Sequence, residues 1–304
     1  MKILVTGSSG LVGTALGSVL ARAGHTVCRL VRPQSAANEG AKEGFAVAWN
    51  PATGELGGAG VGADAVVNLA GASIADGRWS KQRKELLGAS RIDTTRVLVN
   101  ALAKMNARPS VLVSASAIGI YGNRGDETLT EESTPGTDFL AGLAQEWEAE
   151  ALKAEALGIR VVLARFGIIL AREGGALPKM LTPFKLGVGG RLGSGRHWMS
   201  WVTLEDVVGA LRLTVENSSA RGAINFVAPQ PVQNVEFTKV LAKALHRPAL
   251  FPAPAFALRL AVGEMADALL LSSQRVVPRA LEKLGYRFLQ PDLMTALAAI
   301  LAKS

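Results

Sequence analysis

The chain has 304 residues, of which 49% are hydrophobic, 19% charged and 5% aromatic, with 33 glycines and a formal charge of +8. That balance excludes an intrinsically disordered chain, which is poorer in apolar residues, and a collagen-like one, whose glycines recur at a fixed period. The length leaves room for one large α/β domain or two unequal ones, and two are expected.

In chain order, residues 2–6 (KILVT) read as a short buried strand, and residues 11–23 place Leu11, Val12, Leu16, Val19 and Leu20 at a helical period that Gly24 ends. Residues 26–31 predict the next strand, 33–44 a polar loop, 45–49 a third strand and 65–69 a fourth. A long helix over roughly 81–104 leads to a strand at 110–114, and a second helix over about 139–157 leads to a strand at 160–166. Apolar strands alternating with helices imply a parallel sheet covered on both faces, an α/β, Rossmann-like, doubly wound fold. Residues 174–195 carry seven glycines with Pro178 and Pro183, which reads as a substrate-loop insertion of about 174–200, and the sheet pattern returns only at 223–227. Beyond it the chain is mainly helical, punctuated by Pro248, Pro252, Pro254, Pro278 and Pro291. The expected division is a dinucleotide-binding domain over 1–228 and a smaller helical substrate domain over 229–304.

Rarer residues narrow the chemistry. The single cysteine, Cys28, sits in an apolar run and is expected to be a small buried hydrophobe. His25, His197 and His246 are far apart, so no metal site can be assembled from sequence neighbours and none is expected. No apolar stretch reaches the roughly 18 residues of a spanning helix, and MKILVTGSSG is too short in apolar residues for a signal peptide, so a cytoplasmic protein without membrane contact is expected. The basic residues, among them Arg22, Arg29, Arg32, Lys81, Arg83 and Lys84, form no run of five and have no aromatic interleaving. That distribution argues against specific nucleic-acid binding and suits a phosphate-bearing small molecule.

The strongest local signal is Thr6-Gly7-Ser8-Ser9-Gly10-Leu11-Val12-Gly13, between the first strand and the first helix. Glycines at this spacing allow a tight turn, close approach of backbone to a pyrophosphate, and close helix packing with the helix N-terminus facing the phosphates. At the end of the second strand, where an NAD site commonly places an acid, the chain reads Leu30-Val31-Arg32. An arginine there favours a 2′-phosphate and hence NADP(H), with Ser35 able to add a hydroxyl; a solvated surface arginine is the plain alternative.

With these residues the chain resembles the extended short-chain dehydrogenase/reductases. Asn68-Leu69-Ala70-Gly71, Ser114-Ala115-Ser116-Ala117-Ile118-Gly119-Ile120-Tyr121-Gly122 and Trp201-Val202-Thr203-Leu204-Glu205-Asp206-Val207 are similar to three of that superfamily's elements. Arg78-Trp79-Ser80, Ser90-Arg91, Gln145-Glu146-Trp147-Glu148, Pro183-Phe184-Lys185-Leu186-Gly187, Leu245-His246-Arg247-Pro248 and Gln274-Arg275-Val276-Val277-Pro278 narrow the resemblance to one atypical branch. That branch is the nucleoside-diphosphate-sugar epimerase family with a distinctive C-terminal helical domain. The resemblance implies cofactor contacts from Gly7, Ser9, Gly10, Leu11, Val12, Gly13, Leu69, Ala70, Gly71, Ser90, Ser114 and Phe166.

Superfamily catalysis relies on Tyr-x-x-x-Lys, in which the phenol passes a proton and the lysine lowers its pKa. The chain has two tyrosines; Gly125 lies four residues after Tyr121 and Gln290 four after Tyr286, so the pair is absent. Ser116, which matches the superfamily's Ser/Thr, and Tyr121 remain as catalytic candidates, each with a structural alternative. The loop from Gly187 to Trp198 combines glycines with Arg191, Arg196 and His197, which suits capture of a diphosphate, with a mobile surface loop as the plain alternative; Trp147, Trp198 and Trp201 offer flat faces to a base or sugar, though core packing is the better reading for at least one of them. Two readings follow: an NADP(H)-dependent epimerase or reductase acting on a nucleotide sugar or similar phosphorylated metabolite, as monomer or homodimer, or a cofactor-binding sensor without turnover.

Overall fold

A computed structural model describes residues 1–32, 45–57 and 62–302. In chain order the strands are β1 (Lys2–Thr6), β2 (Thr26–Val31), β3 (Phe45–Ala48), β4 (Ala65–Asn68), β5 (Val111–Ala117), β6 (Thr128–Leu129) and β7 (Arg160–Phe166). They continue with β8 (Ile168–Leu170), β9 (Trp198–Met199), β10 (Trp201–Thr203), β11 (Gly222–Phe226), β12 (Val232–Gln233) and β13 (Arg275–Val276). Seven of them form one sheet in the order β11-β7-β5-β4-β1-β2-β3, every pairing parallel. The chain winds outward from β1 in one direction through β2 and β3 and in the other through β4, so the reversal of strand order, where α/β sheets open a crevice, lies between β1 and β4.

Alternate residues of each strand face opposite layers. Ile3, Val5, Val67, Val113 and Val162 pack with Leu16 and Leu20 of the helix Leu11–Arg22 and with Val207 and Leu211 of the helix Leu204–Glu216. Leu4, Cys28, Leu30, Val66, Leu112 and Val161 fill the other face with Leu98 and Leu102 of the helix Thr94–Ala103. Each large side chain so buried contributes about 1.5–3 kcal/mol, which makes this two-faced core the principal stabilising mass. Cys28 is buried there, as its apolar setting predicts.

A third core unites the glycine-rich insertion with the C-terminal helices. Leu177, Leu181 and Phe184 of the helix Ala176–Lys185 meet Phe237 and Leu241 of the helix Asn234–Leu245 and Leu297 of the helix Leu293–Ala302. The chain then crosses back: Leu281 joins the main core, and Asp206 accepts from Tyr286 Oη at 3.1 Å and from the backbone N–H groups of Leu289 and Gln290 at 2.7 and 3.2 Å.

Most predicted elements form within a residue or two of their expected limits. The helix expected over 81–104 is interrupted: Lys81–Gly88 and Thr94–Ala103 are joined by a π-turn, Ala89–Asp93. Side-chain donors explain the break, because Ser90 Oγ and Arg91 Nη1 both reach the Leu87 carbonyl, at 3.2 and 3.3 Å, in competition with the backbone ladder. Among the described residues no helix is long and apolar enough to cross a membrane.

Candidate cofactor cleft

The turn after β1 is built so that only glycine fits at two positions. Gly7 has φ +62°, and a Cβ there would stand 2.5 Å from the Leu69 carbonyl oxygen; at Gly13 a Cβ would stand 2.3 Å from the Gly7 carbonyl oxygen. The turn is therefore pressed against the end of β4 on one side and against its own helix on the other. Ser9 and Gly10 remain exposed, and Leu11 and Val12 half-buried, at the N-terminus of the helix Leu11–Arg22, which Gly10 enters without a side-chain cap. The Gly10 N–H closes the turn onto the Gly7 carbonyl at 3.0 Å, and the first N–H groups of the helix have no intrahelical partner, the usual setting for a phosphate.

Beneath the turn, a polar pin fixes the switch point. Thr6 Oγ1 donates to Asn68 Oδ1 at 2.7 Å and accepts from the N–H groups of Leu69 and Ala70 at 3.0 and 3.2 Å. Asn68 Nδ2 donates to Thr95 Oγ1 and Ser114 Oγ at 2.9 and 3.2 Å. Asn68 and Ser114 are fully buried, so Ser114, expected as a cofactor contact, is instead part of this pin. Leu69, Ala70 and Phe166 are half-buried and Gly71 is exposed along the carboxyl edge, and Ser90 Oγ accepts from the Ala72 N–H at 3.0 Å, holding the segment after β4. Arg32 stands exposed at the end of β2, while Ser35 lies outside the described residues.

Both catalytic candidates from the sequence turn out to be members of a buried network. Ser116, 2% exposed, donates to Glu148 Oε1 at 2.6 Å, and Glu148 forms a bidentate pair with Arg165, its oxygens 2.8 Å from Nε and from Nη2. Tyr121 Oη accepts from Arg165 Nη1 at 2.9 Å and donates to Asn225 Oδ1 at 2.7 Å, with its ring wholly buried and its phenol pushed above the ordinary range by that burial. Neither side chain has a face open to a substrate, which corrects the expectation for both. Tyr286 is engaged too: its hydroxyl donates toward Asp206, and burial together with that carboxylate raises its pKa. The signal for this network was a charged residue, Arg165, in the otherwise apolar strand RVVLARF.

The substrate-loop candidates separate. Trp201 is fully buried and donates from Nε1 to the Gln230 carbonyl at 3.1 Å, so it is a core residue and not a substrate contact. Arg191 folds onto its own loop, Nη1 donating to the Ser194 carbonyl at 2.7 Å, and lines a cavity of about 130 Å³ with Thr238, Lys239 and Leu250. That volume is below the roughly 300 Å³ at which ligand pockets begin. Arg196 is exposed; His197 is half-buried, and burial lowers its imidazole pKa, which keeps it neutral near pH 7. Among the described residues no group of three His, Cys, Asp or Glu is placed to hold a metal.

The segment after β4 also bridges to the C-terminal part of the chain. Arg78 donates to the Leu260 and Ala261 carbonyls of the helix Ala255–Val262, and Lys84 pairs with Glu264 at 2.6 Å. Trp79 meets Phe139 edge to face, 5.3 Å between centroids, with the Lys84 ammonium 4.7 Å from the same ring.

Comparison with known proteins agrees with this architecture. Residues 3–226 match the NAD dependent epimerase/dehydratase family, and residues 253–300 match a domain of unknown function, DUF1731. The epimerase family protein Mb2239 of Mycobacterium bovis is 44% identical over 287 residues, covering 94% of this chain and 93% of its own. The epimerase family protein YfhF of Bacillus subtilis is 40% identical over 303 residues, covering 99% and 98%. Among solved structures, the human epimerase family protein SDR39U1 (isoform 2), crystallised with NADPH, superposes with a TM-score of 0.88 at 32% identity, each chain covered completely.

Proposed function

The chain belongs to the NAD dependent epimerase/dehydratase family, and from that premise we propose that it binds NADP(H) and acts as an oxidoreductase or epimerase on a nucleotide sugar or similar phosphorylated metabolite. The observation that carries the reading is the glycine turn at the β1/β4 switch point, where a Cβ on Gly7 or Gly13 would strike backbone oxygen. A cradle so tight leaves room for a diphosphate to approach backbone N–H groups and none for a side chain. The NADPH complex of the human relative supports the choice of cofactor.

In this reading, Ser9, Leu11 and Val12 present N–H groups to the phosphates, Gly10 gives them close approach while its own N–H closes the turn onto the Gly7 carbonyl, Arg32 pairs with the 2′-phosphate, and Leu69, Ala70 and Gly71 border the cofactor along the edge of β4. The bound nicotinamide supplies reversible hydride transfer. Arg196, exposed on its loop, meets a substrate diphosphate, and the segment from Arg78 to Lys84 excludes water by bridging to the C-terminal helices. We assign residues 1–228 to the cofactor-binding domain and 229–304 to the substrate-facing one, in a cytosolic protein working as monomer or homodimer.

A second reading, a cofactor-bound sensor without turnover, is favoured by a specific observation: both phenols of the chain are locked in hydrogen bonds away from the cleft. The readings part in one experiment, in which NADPH absorbance is followed with a panel of sugar nucleotides and carbonyl compounds; tight cofactor binding with no oxidation by any of them selects the sensor. For the cofactor itself, Arg32→Asp should weaken NADPH by at least tenfold, since a charge-assisted bond contributes about 1.5–3 kcal/mol, while NADH affinity changes less than twofold. Equal losses for both cofactors would remove Arg32 from the site.

A further inference from the structure

Two guanidinium groups converge on consecutive carbonyls of the segment that leaves β4. Arg91 Nη2 donates to the Ala72 carbonyl at 2.9 Å, and Arg83 Nη2 donates to that of Ser73. Arg91 comes from the π-turn Ala89–Asp93 and Arg83 from the first turn of the helix Lys81–Gly88, so the irregularity between the two helices is what brings both onto one spot. The spot is at the crevice: a Cβ on Gly71 would stand 3.3 Å from Arg91 Cζ, and Gly71 lies two residues past the Leu69 carbonyl that touches the glycine turn. Trp147 forms the floor, its ring centroid 5.3 Å from Arg91 Cζ.

Neither cation is hydrogen-bonded to a carboxylate of the described residues. Among the described residues, Arg91 bonds only the Leu87 and Ala72 carbonyls and the Ser90 hydroxyl, and Arg83 only the Ser73 carbonyl as a side-chain donor, so no carboxylate hydrogen-bonds either. Asp76, close enough to feel the charge of Arg83, is committed to Lys179 at 3.2 Å and to the Ser73 hydroxyl. A guanidinium has five N–H donors; the three bonds of Arg91 use Nη1 and Nη2 and leave at least two donors, including that on Nε, uncommitted. Arg83 Nε is buried with no hydrogen-bond partner. Burial and the neighbouring Arg83 pull the Arg91 pKa down to about 10, still protonated at neutral pH. Two partly desolvated cations held together with no carboxylate hydrogen-bonded to either repel each other, and a bound anion relieves that repulsion.

We propose that Arg83 and Arg91 form an anion receptor on the Gly71–Ser73 segment, one that takes a phosphoryl group at the carboxyl edge of the sheet. The phosphoryl oxygens belong either to the cofactor's diphosphate or to the second substrate. The inference deepens the reading of the cleft as a site for NADP(H) beside a phosphorylated metabolite, and wild-type NADPH affinity tests that reading separately.

The experiment measures inorganic phosphate and NADPH affinities by calorimetry for the wild-type chain, Arg83→Met, Arg91→Met and Arg91→Lys, with phosphate titrated into both free and NADPH-saturated protein. Arg91→Met should weaken phosphate at least tenfold, Arg83→Met about fivefold, and Arg91→Lys should recover most of the loss. Unchanged NADPH affinity in the variants assigns the receptor to the second substrate, and a parallel loss assigns it to the cofactor diphosphate. Arg83 is half-exposed, so its variant provides a folded test even if Arg91→Met does not fold. Phosphate affinity equal in wild type and Arg83→Met, or a wild-type chain that binds no phosphate with or without NADPH, overturns the proposal.

Discussion

Tyr121 is one of only two phenols in the chain and stands in the motif that resembles a catalytic element. Its surroundings assign it another task. The hydroxyl accepts from Arg165 and donates to Asn225 inside a network that also holds Ser116 and Glu148. A buried ion pair such as Arg165 with Glu148 must be completely hydrogen-bonded to offset its desolvation, and Ser116 and Tyr121 supply two of those bonds. Tyr121→Phe should therefore lower unfolding free energy by about 1–3 kcal/mol, read from urea denaturation, while leaving NADPH affinity within twofold. A tenfold rise in the NADPH Kd, with stability intact, would return Tyr121 to the site.

The element that carries the cofactor reading is the glycine turn with the helix Leu11–Arg22, and the two glycines inside that helix make a graded test. Gly13→Ala places a methyl 2.3 Å from a backbone oxygen, so turn and helix must separate; NADPH affinity should fall at least tenfold and the thermal midpoint with it. Gly17 lies in the same helix with nothing within 4 Å of an added Cβ. There Gly17→Ala should raise stability by about 0.5–1 kcal/mol, because only the helix propensity changes, and leave the cofactor alone. Loss of binding in both variants, or in neither, would mean that close packing of the turn is not what shapes the cradle. The π-turn makes the complementary point: Ser90 and Arg91 bend one predicted helix into two, a break that places Arg91 against Gly71.

At the scale of the molecule, two of the fastenings of the C-terminal chain are the third core and Asp206. Thr203 caps the helix, its Oγ1 accepting from the Asp206 N–H and donating to the Asp206 carboxylate, which also receives Tyr286, Leu289 and Gln290 from beyond residue 280. Asp206→Ala should release that second fastening, leaving the Tyr286 hydroxyl without its carboxylate partner and two N–H groups without an acceptor. The expected outcome is a loss of about 2–4 kcal/mol and faster cleavage by a protease between residues 284 and 292, with the Rossmann sheet remaining protected. Unfolding of sheet and C-terminal segment in one step, at wild-type stability, would contradict it.

Period and spacing alone determined the sheet, its parallel strands and the glycine turn, since a strand buried on both faces needs continuous apolar residues and a phosphate cradle needs glycine at set intervals. The sequence also supplied Arg32 at the end of β2 and the absence of Tyr-x-x-x-Lys, both matters of residue identity at a known position. What only the tertiary structure decided is which polar residues are spent inside. Ser114, Ser116, Tyr121 and Trp201 lie in the right motifs, but their partners Asn68, Glu148, Arg165, Asn225 and Gln230 come from strands, a helix and a loop 29 to 104 residues away. The same holds for Arg83 and Arg91, whose meeting at Gly71 depends on side chains displacing backbone bonds at Leu87. Periodicity reports which face a residue takes; whether its hydrogen bonds are already satisfied is settled by what folds against that face.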